Sequence, residues 1–402
     1  MNILHIAAHL GGGVGKAHAS LCAVDRPGMR RRFLLLEEPQ DNRYADAIRA
    51  SGADIVVSRD PVKIGGLVAA ADIVQIEWWN HPRLYECLSR FDLPPARTIL
   101  WSHISGLFPP CLPSALLAAP HRFLFTSACS LEIPAVRDLA ADARQRIDVI
   151  NSGFGFDRPV TSEKGRYGQV GYLGTVDFSK LSPLLFDVID AANLDRPVAI
   201  WGGVEPEGAV LLRARCMQRP DAVRFQGHAA DPATALRNIG IFLYLLQPRH
   251  FGTAENALVE AMSLGCVPLV LDNPAERAIV EHGVTGFIEP DIESVARRLQ
   301  WMIAHPTRMA EMGQAAARAM TATRSVRSAA ADFASIYDAV LHLPKRRIDF
   351  AAIIGDSPAE WFLSTGASPR EAGVRKGTLA HFLRCFPDDP ALRALFADQT
   401  ST

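Results

Sequence analysis

HFGTAENALVEAMSLGCVPLVLDN, residues His250–Asn273, decides how the chain folds. It reads as a loop, a helix and a buried strand in succession. Ala257, Leu258, Ala261, Met262 and Leu264 recur at helical spacing, so one face packs on a sheet. Gly265 ends the helix, and CVPLVLD, Cys266–Asp272, is a short apolar run suited to a central parallel strand. Ahead of the helix, Gly252 and Thr253 let a ligand approach the backbone closely. Ala254, Glu255 and Asn256 open the helix, and its first N–H groups point into that space, a good seat for phosphate. Glu260 lies two turns in, where a carboxylate can accept bonds from a ribose diol.

The same alternation of apolar run and helix extends outward in both directions. Ile3–Ala8, Arg32–Leu36, Asp54–Val57, Ile73–Glu77, Thr98–His103, Phe123–Thr126 and Ile147–Ile150 are candidate strands. Their apolar continuity predicts a parallel sheet covered on both faces. Asn151–Gly168 breaks the pattern with glycines, Pro159 and charges, as an interdomain connection would. A second series follows at Val170–Leu173, Val198–Trp201, Val223–Gln226, Ile241–Leu245, Val267–Leu271 and Gly286–Ile288. The expected fold class is α/β: two tandem Rossmann-like doubly wound domains, residues 1–158 and 166–325, with ligand in the cleft between their strand C-termini. Ile292–Leu341 is rich in Ala, Arg and Met and reads as helix, with 326–343 as a separate closing segment. The remainder, 344–402, keeps Trp361, Phe362, Phe382, Phe386 and Phe396, too many aromatics for a disordered tail, and predicts short packed helices.

Totals bound the function. A chain of 402 residues with 49% hydrophobic content can bury one large core or two medium ones, and its length favours two domains. A net charge of −1 gives no global attraction to nucleic acid. The basic clusters Arg30–Arg32 and Lys345–Arg347 read as solvated surface or as contacts to anionic lipid headgroups. Seven cysteines without a C-x-x-C pair argue for a reducing compartment and against a disulfide framework or structural zinc. The chain opens directly as a strand, and no apolar run approaches the ~20 residues needed to cross a bilayer. Together these predict a cytoplasmic protein, with the inner membrane face as an alternative station.

Glycines follow the first strand in HLGGGVGKAH, His9–His18. A Walker loop would need glycine where Leu10 stands and Ser or Thr at Ala17, so the magnesium-holding hydroxyl is missing. A dinucleotide fingerprint fits no better. No D-x-D pair and no G-x-S-x-G elbow occurs, which removes the usual metal-bridged diphosphate site and the acyl-transfer serine.

The segment Gly252–Asp272, in register with the rest of residues 1–340, resembles the signature of the group 1 glycosyltransferases, enzymes of the GT-B fold. The resemblance implies a nucleotide-sugar donor on the second domain. Its diphosphate would lie near Gly174, Thr175, Lys180 and the Gly252–Asn256 helix start, with Glu260 on ribose. The acceptor, a glycan, polysaccharide or lipid-linked sugar, would enter past Gly12, Gly13, Glu77, Trp78 and His103. Glu77 and the two tryptophans beside it would offer a carboxylate and an aromatic wall, or belong to the core. His103 matches a family histidine that contacts the reacting sugar, and with Glu255 and Lys180 it completes the expected catalytic set.

Two departures stand against the family pattern. Relatives carry an arginine after the glycine of VGYLGTVDFSK, where this chain has Thr175, leaving Lys180 as the single cation unless Arg249 or His250 supplies the second. The Glu-x7-Glu pattern also fails, because eight residues before Glu260 stands Gly252. Glu255 lies about 140° around a helix from Glu260, so it would serve the sugar only if the loop were arranged differently; otherwise it stabilises the helix N-terminus. The implied activity is retaining, metal-independent transfer of a hexose-type unit to a hydroxyl. The alternatives are an inactive GT-B-like binding or scaffold protein, and a sugar-nucleotide epimerase or phosphorylase on the same plan. The donor base, the acceptor and the oligomeric state have no signal in the sequence.

Overall fold

The computed structural model describes residues 1–39, 41–153, 165–250, 252–369 and 377–397. Most of the predicted connection Asn151–Gly168 lies outside the described residues. The chain divides into two compact units, one of residues 1–153 with 329–402, the other of residues 154–328.

In the first unit the apolar runs form seven parallel strands: β1 (Asn2–Ala7), β2 (Arg30–Leu35), β3 (Asp54–Val57), β4 (Ile73–Trp78), β5 (Thr98–Ser102), β6 (Arg122–Phe125) and β7 (Ile147–Val149). Their order is β3-β2-β1-β4-β5-β6-β7, so the winding reverses between β1 and β4. In a doubly wound sheet that reversal opens a crevice at the strand C-termini. One face, with Leu4, Ile6, Leu34, Val74, Ile76, Trp78 and Leu100, joins a large apolar cluster. The tail completes that cluster. Its helices Phe350–Ile354, Pro358–Ser364, Leu379–Cys385 and Pro390–Ala397 bury Trp361, Phe362, Phe382 and Leu392. Each such side chain removed from water stabilises the unit by roughly 1.5–3 kcal/mol. Ser357 and Glu360 form a capping box ahead of Pro358, which fixes where the second tail helix starts. Of the five tail aromatics, Phe396 alone is exposed, at 46%.

The second unit repeats the plan with β8 (Val170–Leu173), β9 (Val198–Trp201), β10 (Val223–Gly227), β11 (Ile241–Tyr244), β12 (Val267–Leu271) and β13 (Phe287–Glu289), in the order β10-β9-β8-β11-β12-β13. All are parallel, and the reversal falls between β8 and β11. The Ala- and Arg-rich stretch is three helices, Ile292–Ala304, Pro306–Arg324 and Val326–Leu341. Pro306 cannot continue the preceding helix but suits the first turn of the next.

All seven cysteines are free thiols. Among the described residues no helix is long and apolar enough to cross a membrane. The basic clusters are engaged rather than loose. Arg31 is buried, Arg32 pairs with Asp54 at 2.8 Å, and Lys345 donates to the carbonyls of Ala69 and Ala71 at 3.2 and 2.9 Å. Arg346 donates to the Ala119 carbonyl at 2.6 Å, and Arg347 pairs with Asp92.

Candidate functional site

In each unit a buried carboxylate near the winding reversal, Glu77 in the first and Glu255 in the second, collects polar side chains. In the first unit strand alternation builds the group. The register pairs His5 with Phe33 and Gln75, and Glu77 with Trp101, so these side chains share the face opposite the large apolar cluster. Arg31 lies two residues before Phe33 on the same face, and His103 two residues past Trp101. Helix Gly12–Cys22 lays His18 over this face, and helix Val326–Leu341 adds Phe333 and Tyr337.

Glu77 is the centre. Its Oε1 accepts from Gln75 Nε2 at 2.9 Å and from His5 Nδ1 at 2.9 Å, and its Oε2 accepts from His103 Nε2 at 2.9 Å. His18 Nε2 stands 3.0 Å from Oε1, outside hydrogen-bond alignment but close enough for charge attraction. Arg31 donates to His5 Nε2 at 3.0 Å and holds Asp25 with two bonds of 2.6 and 2.8 Å. A guanidinium has only donors, so His5 Nε2 must be the acceptor and Nδ1 must carry the hydrogen given to Glu77. Tyr337 receives an Arg31 bond at 3.1 Å and donates to Gln75 at 2.6 Å.

Burial lowers the His5 pKa to about 3 against the pull of Glu77. Burial alone would raise Glu77, yet His18, His103 and His5 outweigh it and hold the carboxyl well below its usual range. Burial also lowers His103, more than the Glu77 bond raises it. Among the described residues His5, His18 and Glu77 have the spacing of metal ligands, their ligand atoms lying within 4.8 Å. The Arg31 bond argues for proton sharing instead, because a metal would need the Nδ1 lone pair that the hydrogen occupies.

This geometry corrects one expectation. Glu77 and Trp78 have no exposed surface, so neither side chain forms a wall for an acceptor. Trp79 is 8% exposed, and Gly12 and Gly13 are exposed where their helix begins. The signal for this cluster was available: Gln75 and Glu77, two residues apart, interrupt one otherwise apolar strand and His5 interrupts another. His5, His18, Arg31 and Tyr337 were nevertheless missed.

In the second unit the ends of β8 and β11 converge on Glu255. Gly174 donates to the Trp201 carbonyl at 3.1 Å, and Gly202, at φ +148°, lies so close to Gly174 that a Cβ would stand 2.2 Å from its carbonyl oxygen. Only glycine fits there. Thr175 is exposed at this turn, and its carbonyl accepts from Tyr172 at 2.8 Å. Lys180 reaches Glu255 Oε2 at 3.0 Å, and Tyr244 donates to the same oxygen at 2.6 Å.

Glu255 does not lie in the first helical turn. It precedes helix Asn256–Ser263 in the left-handed region, φ +40°, and its side chain caps nothing. For a residue other than glycine this conformation costs of order 1–3 kcal/mol. The carboxylate thereby turns back over Gly252: a Cβ on Gly252 would stand 2.2 Å from Glu255 Oε1. The space where a side chain at 252 would begin therefore holds the carboxylate of 255. That Oε1 is buried without a hydrogen-bond partner, as is Asn256 Oδ1. Thr253 and Glu260 are buried, Ala254 is half-buried and Arg249 is exposed.

His250 is buried beside this group. Its Nδ1 accepts from the Gly252 N–H at 3.1 Å and its Nε2 faces Glu276 Oε2 at 3.3 Å, while Asn273 donates to Glu276 Oε1 at 2.9 Å. Burial opposes charge on His250, but Glu276 and Glu255 prevail and raise its pKa. Lys180 and His250, then Tyr244, hold Glu255 below its ordinary range against a burial that would raise it. Glu276 was not anticipated. Its signal was an acid in a Pro-started turn directly after an apolar strand, NPAER.

Residues 157–319 match the family described as Glycosyl transferases group 1. No curated protein matches the chain. Among solved structures, a glycosyltransferase from Rickettsia africae is similar at a TM-score of 0.67 and 12% identity, over 85% of this chain and 99% of that one. Anabaena HepE, in complex with UDP and glucose, is similar at 0.65 and 16%, over 84% and 100%. Sucrose-phosphate synthase from Thermosynechococcus elongatus is similar at 0.63 and 15%, over 85% and 99%. At these identities the likeness is one of fold, and it is the GT-B fold. Through residues 157–319 the chain is similar to the group 1 glycosyltransferases.

Proposed function

We propose that the chain moves a sugar from a nucleotide-sugar donor to a hydroxyl of a glycan, polysaccharide or lipid-linked acceptor, with retention at the anomeric carbon and without a metal. The observation that carries this reading is the Glu255 carboxylate over Gly252. Where the family signature has a glutamate, this chain has a glycine and lends the carboxylate from three residues on. Glu255 Oε1 and Asn256 Oδ1 are buried acceptors lacking donors, and sugar hydroxyls supply donors. Lys180, one quarter exposed and paired to Glu255, is the cation for the departing diphosphate. Gly174, Thr175 and Arg249 would line the phosphate side, with Glu260 on ribose. Acceptor recognition falls to His103 and the Gly12–Gly13 helix start. UDP in complex with HepE supports a uridine nucleotide as the donor's carrier. The unpaired cysteines support a reducing, cytoplasmic setting.

A panel of nucleotide sugars tests the reading, scored by thermal shift and by release of nucleoside diphosphate with and without oligosaccharide acceptors. One donor should raise the melting temperature and release its diphosphate faster with acceptor. If no donor binds or turns over, the reading fails; binding without turnover would make the chain a scaffold, and an altered sugar with no diphosphate released an epimerase.

A further inference from the structure

Glu77 has more donors around it than a buried carboxylate needs. Oε1 is taken by His5 Nδ1–H and Gln75 Nε2–H, with His18 Nε2 3.0 Å away, and Oε2 is left to His103. The set is rigid behind that contact. Arg31 can only donate, so it fixes the His5 tautomer; Asp25 grips Arg31 with two bonds, and Tyr337 bridges Arg31 to Gln75. None of these groups can exchange roles without leaving a buried polar atom unpaired. An ionised carboxylate accepts only, so His103 must present Nε2–H to it. The Trp101 ring lies edge-on 4.5 Å from the His103 ring, which limits ring rotation, and the backbone N–H of His103 is tied to the Trp78 carbonyl at 2.8 Å.

We propose that Glu77 is a positioning residue that holds His103 as its Nε2–H tautomer, leaving the Nδ1 lone pair for substrate, so that His103 receives a sugar hydroxyl and not a phosphate oxygen. The inference rests on the glycosyl-transfer reading for the identity of that hydroxyl. A lone pair accepts from O–H and repels the oxygens of a diphosphate, so His103 is matched to a hydroxyl and mismatched to a phosphate oxygen. Glu77 acts on substrate only through His103, since it has no exposed surface.

The test is nitrogen-15 NMR of the full chain labelled at its 12 histidines, with His103 assigned by comparison with His103→Gln. Wild type at neutral pH should show His103 protonated at Nε2 and bare at Nδ1. Glu77→Gln, which can turn an N–H toward the ring, should redistribute that proton and cut kcat by about a hundredfold, with the KM for the nucleotide sugar little changed. A purely structural Glu77 would lower the melting temperature and leave tautomer and kcat of the folded fraction as they were. His103 carrying its hydrogen on Nδ1 in wild type, or a folded Glu77→Gln protein with wild-type tautomer and turnover within twofold, overturns the proposal. Should Glu77→Gln fail to fold, the wild-type spectrum decides alone. A wild-type protein that turns over no donor would sink glycosyl transfer while the tautomer still decides the role of Glu77.

Discussion

Two buried carboxylates, one in each unit, are finished to different degrees. Glu77 has donors on both oxygens and an arginine-backed histidine behind it. Glu255 has Tyr244 and Lys180 on one oxygen and no hydrogen bond on the other, with His250 Nδ1 3.7 Å away. A fully satisfied buried charge fixes neighbouring side chains; a half-satisfied one carries an unmet desolvation cost that a ligand donor can relieve. The backbone tells the same story. Glu77 lies in regular strand, whereas Glu255 is held in a left-handed conformation that nothing in its own helix requires.

Breaking the finished site should have the largest effect. Glu77→Leu leaves the His5 and Gln75 N–H donors without an acceptor, and a loss of about 3–5 kcal/mol in the first unit is expected, as for one member removed from a buried ion pair. Urea unfolding followed by tryptophan fluorescence would measure it; a loss under 1 kcal/mol would mean the network is slack. Glu255→Gln keeps the shape and removes the charge. Turnover should drop by about 10²–10³-fold while the donor still raises the melting temperature, and an enzyme of ordinary activity would dismiss Glu255 from the site.

Gly252→Ala is subtler, because the new methyl would collide with Glu255 Oε1. We expect kcat to fall by roughly tenfold, with most of it restored in the pair Gly252→Glu with Glu255→Gly, which moves the carboxylate to the family position. Independent effects of the two changes would contradict the shared space.

The smallest effect is a divergence with pH. Native His5 and His103 have pKa values below the unfolded 6.5, so the stability they contribute is present above that value and is lost as pH falls. His250 is raised, so its contribution is present below 6.5 and is lost as pH rises through its folded value. Glu77 and Glu255 are both depressed and both weaken only below about 4.5. Acidification should therefore first tighten the loop before helix Asn256–Ser263, as pH falls through the folded value of His250 toward 6.5, and then loosen β1 and β4 between 6.5 and about 4.5. Hydrogen exchange corrected for intrinsic rates reads both regions at once, and parallel shifts in the two would refute the contrast.

The architecture was legible because long apolar runs separated by helices admit few arrangements. All thirteen strands fall within a residue or two of the expected places, and their pairing is the doubly wound order. Local pattern carried part of the site: Lys180 and Glu255, both named from the sequence, meet at 3.0 Å, with Gly252 beside the carboxylate. The site was illegible where contacts join distant elements. Nothing local to Glu77 announces His18, Arg31 or Tyr337, which come from two helices and from β2, a strand separated from β4 by β1. The two tryptophans after Glu77 suggested a binding wall, yet Trp78 faces the apolar cluster because strand alternation sends it opposite to Glu77. The Glu255 loop turned on a single backbone torsion that helical periodicity does not encode.

The discontinuity of the first unit has a consequence for synthesis. Its sheet forms from residues 1–153, but Tyr337, Trp361 and Phe382, which cover its two faces, are made only after the second unit. The second unit is one uninterrupted stretch and has everything it needs once residue 328 has left the ribosome. The lobe begun first must therefore mature last, keeping exposed faces through the birth of its neighbour, and interrupted translation should yield a finished second lobe beside a sticky, unfinished first.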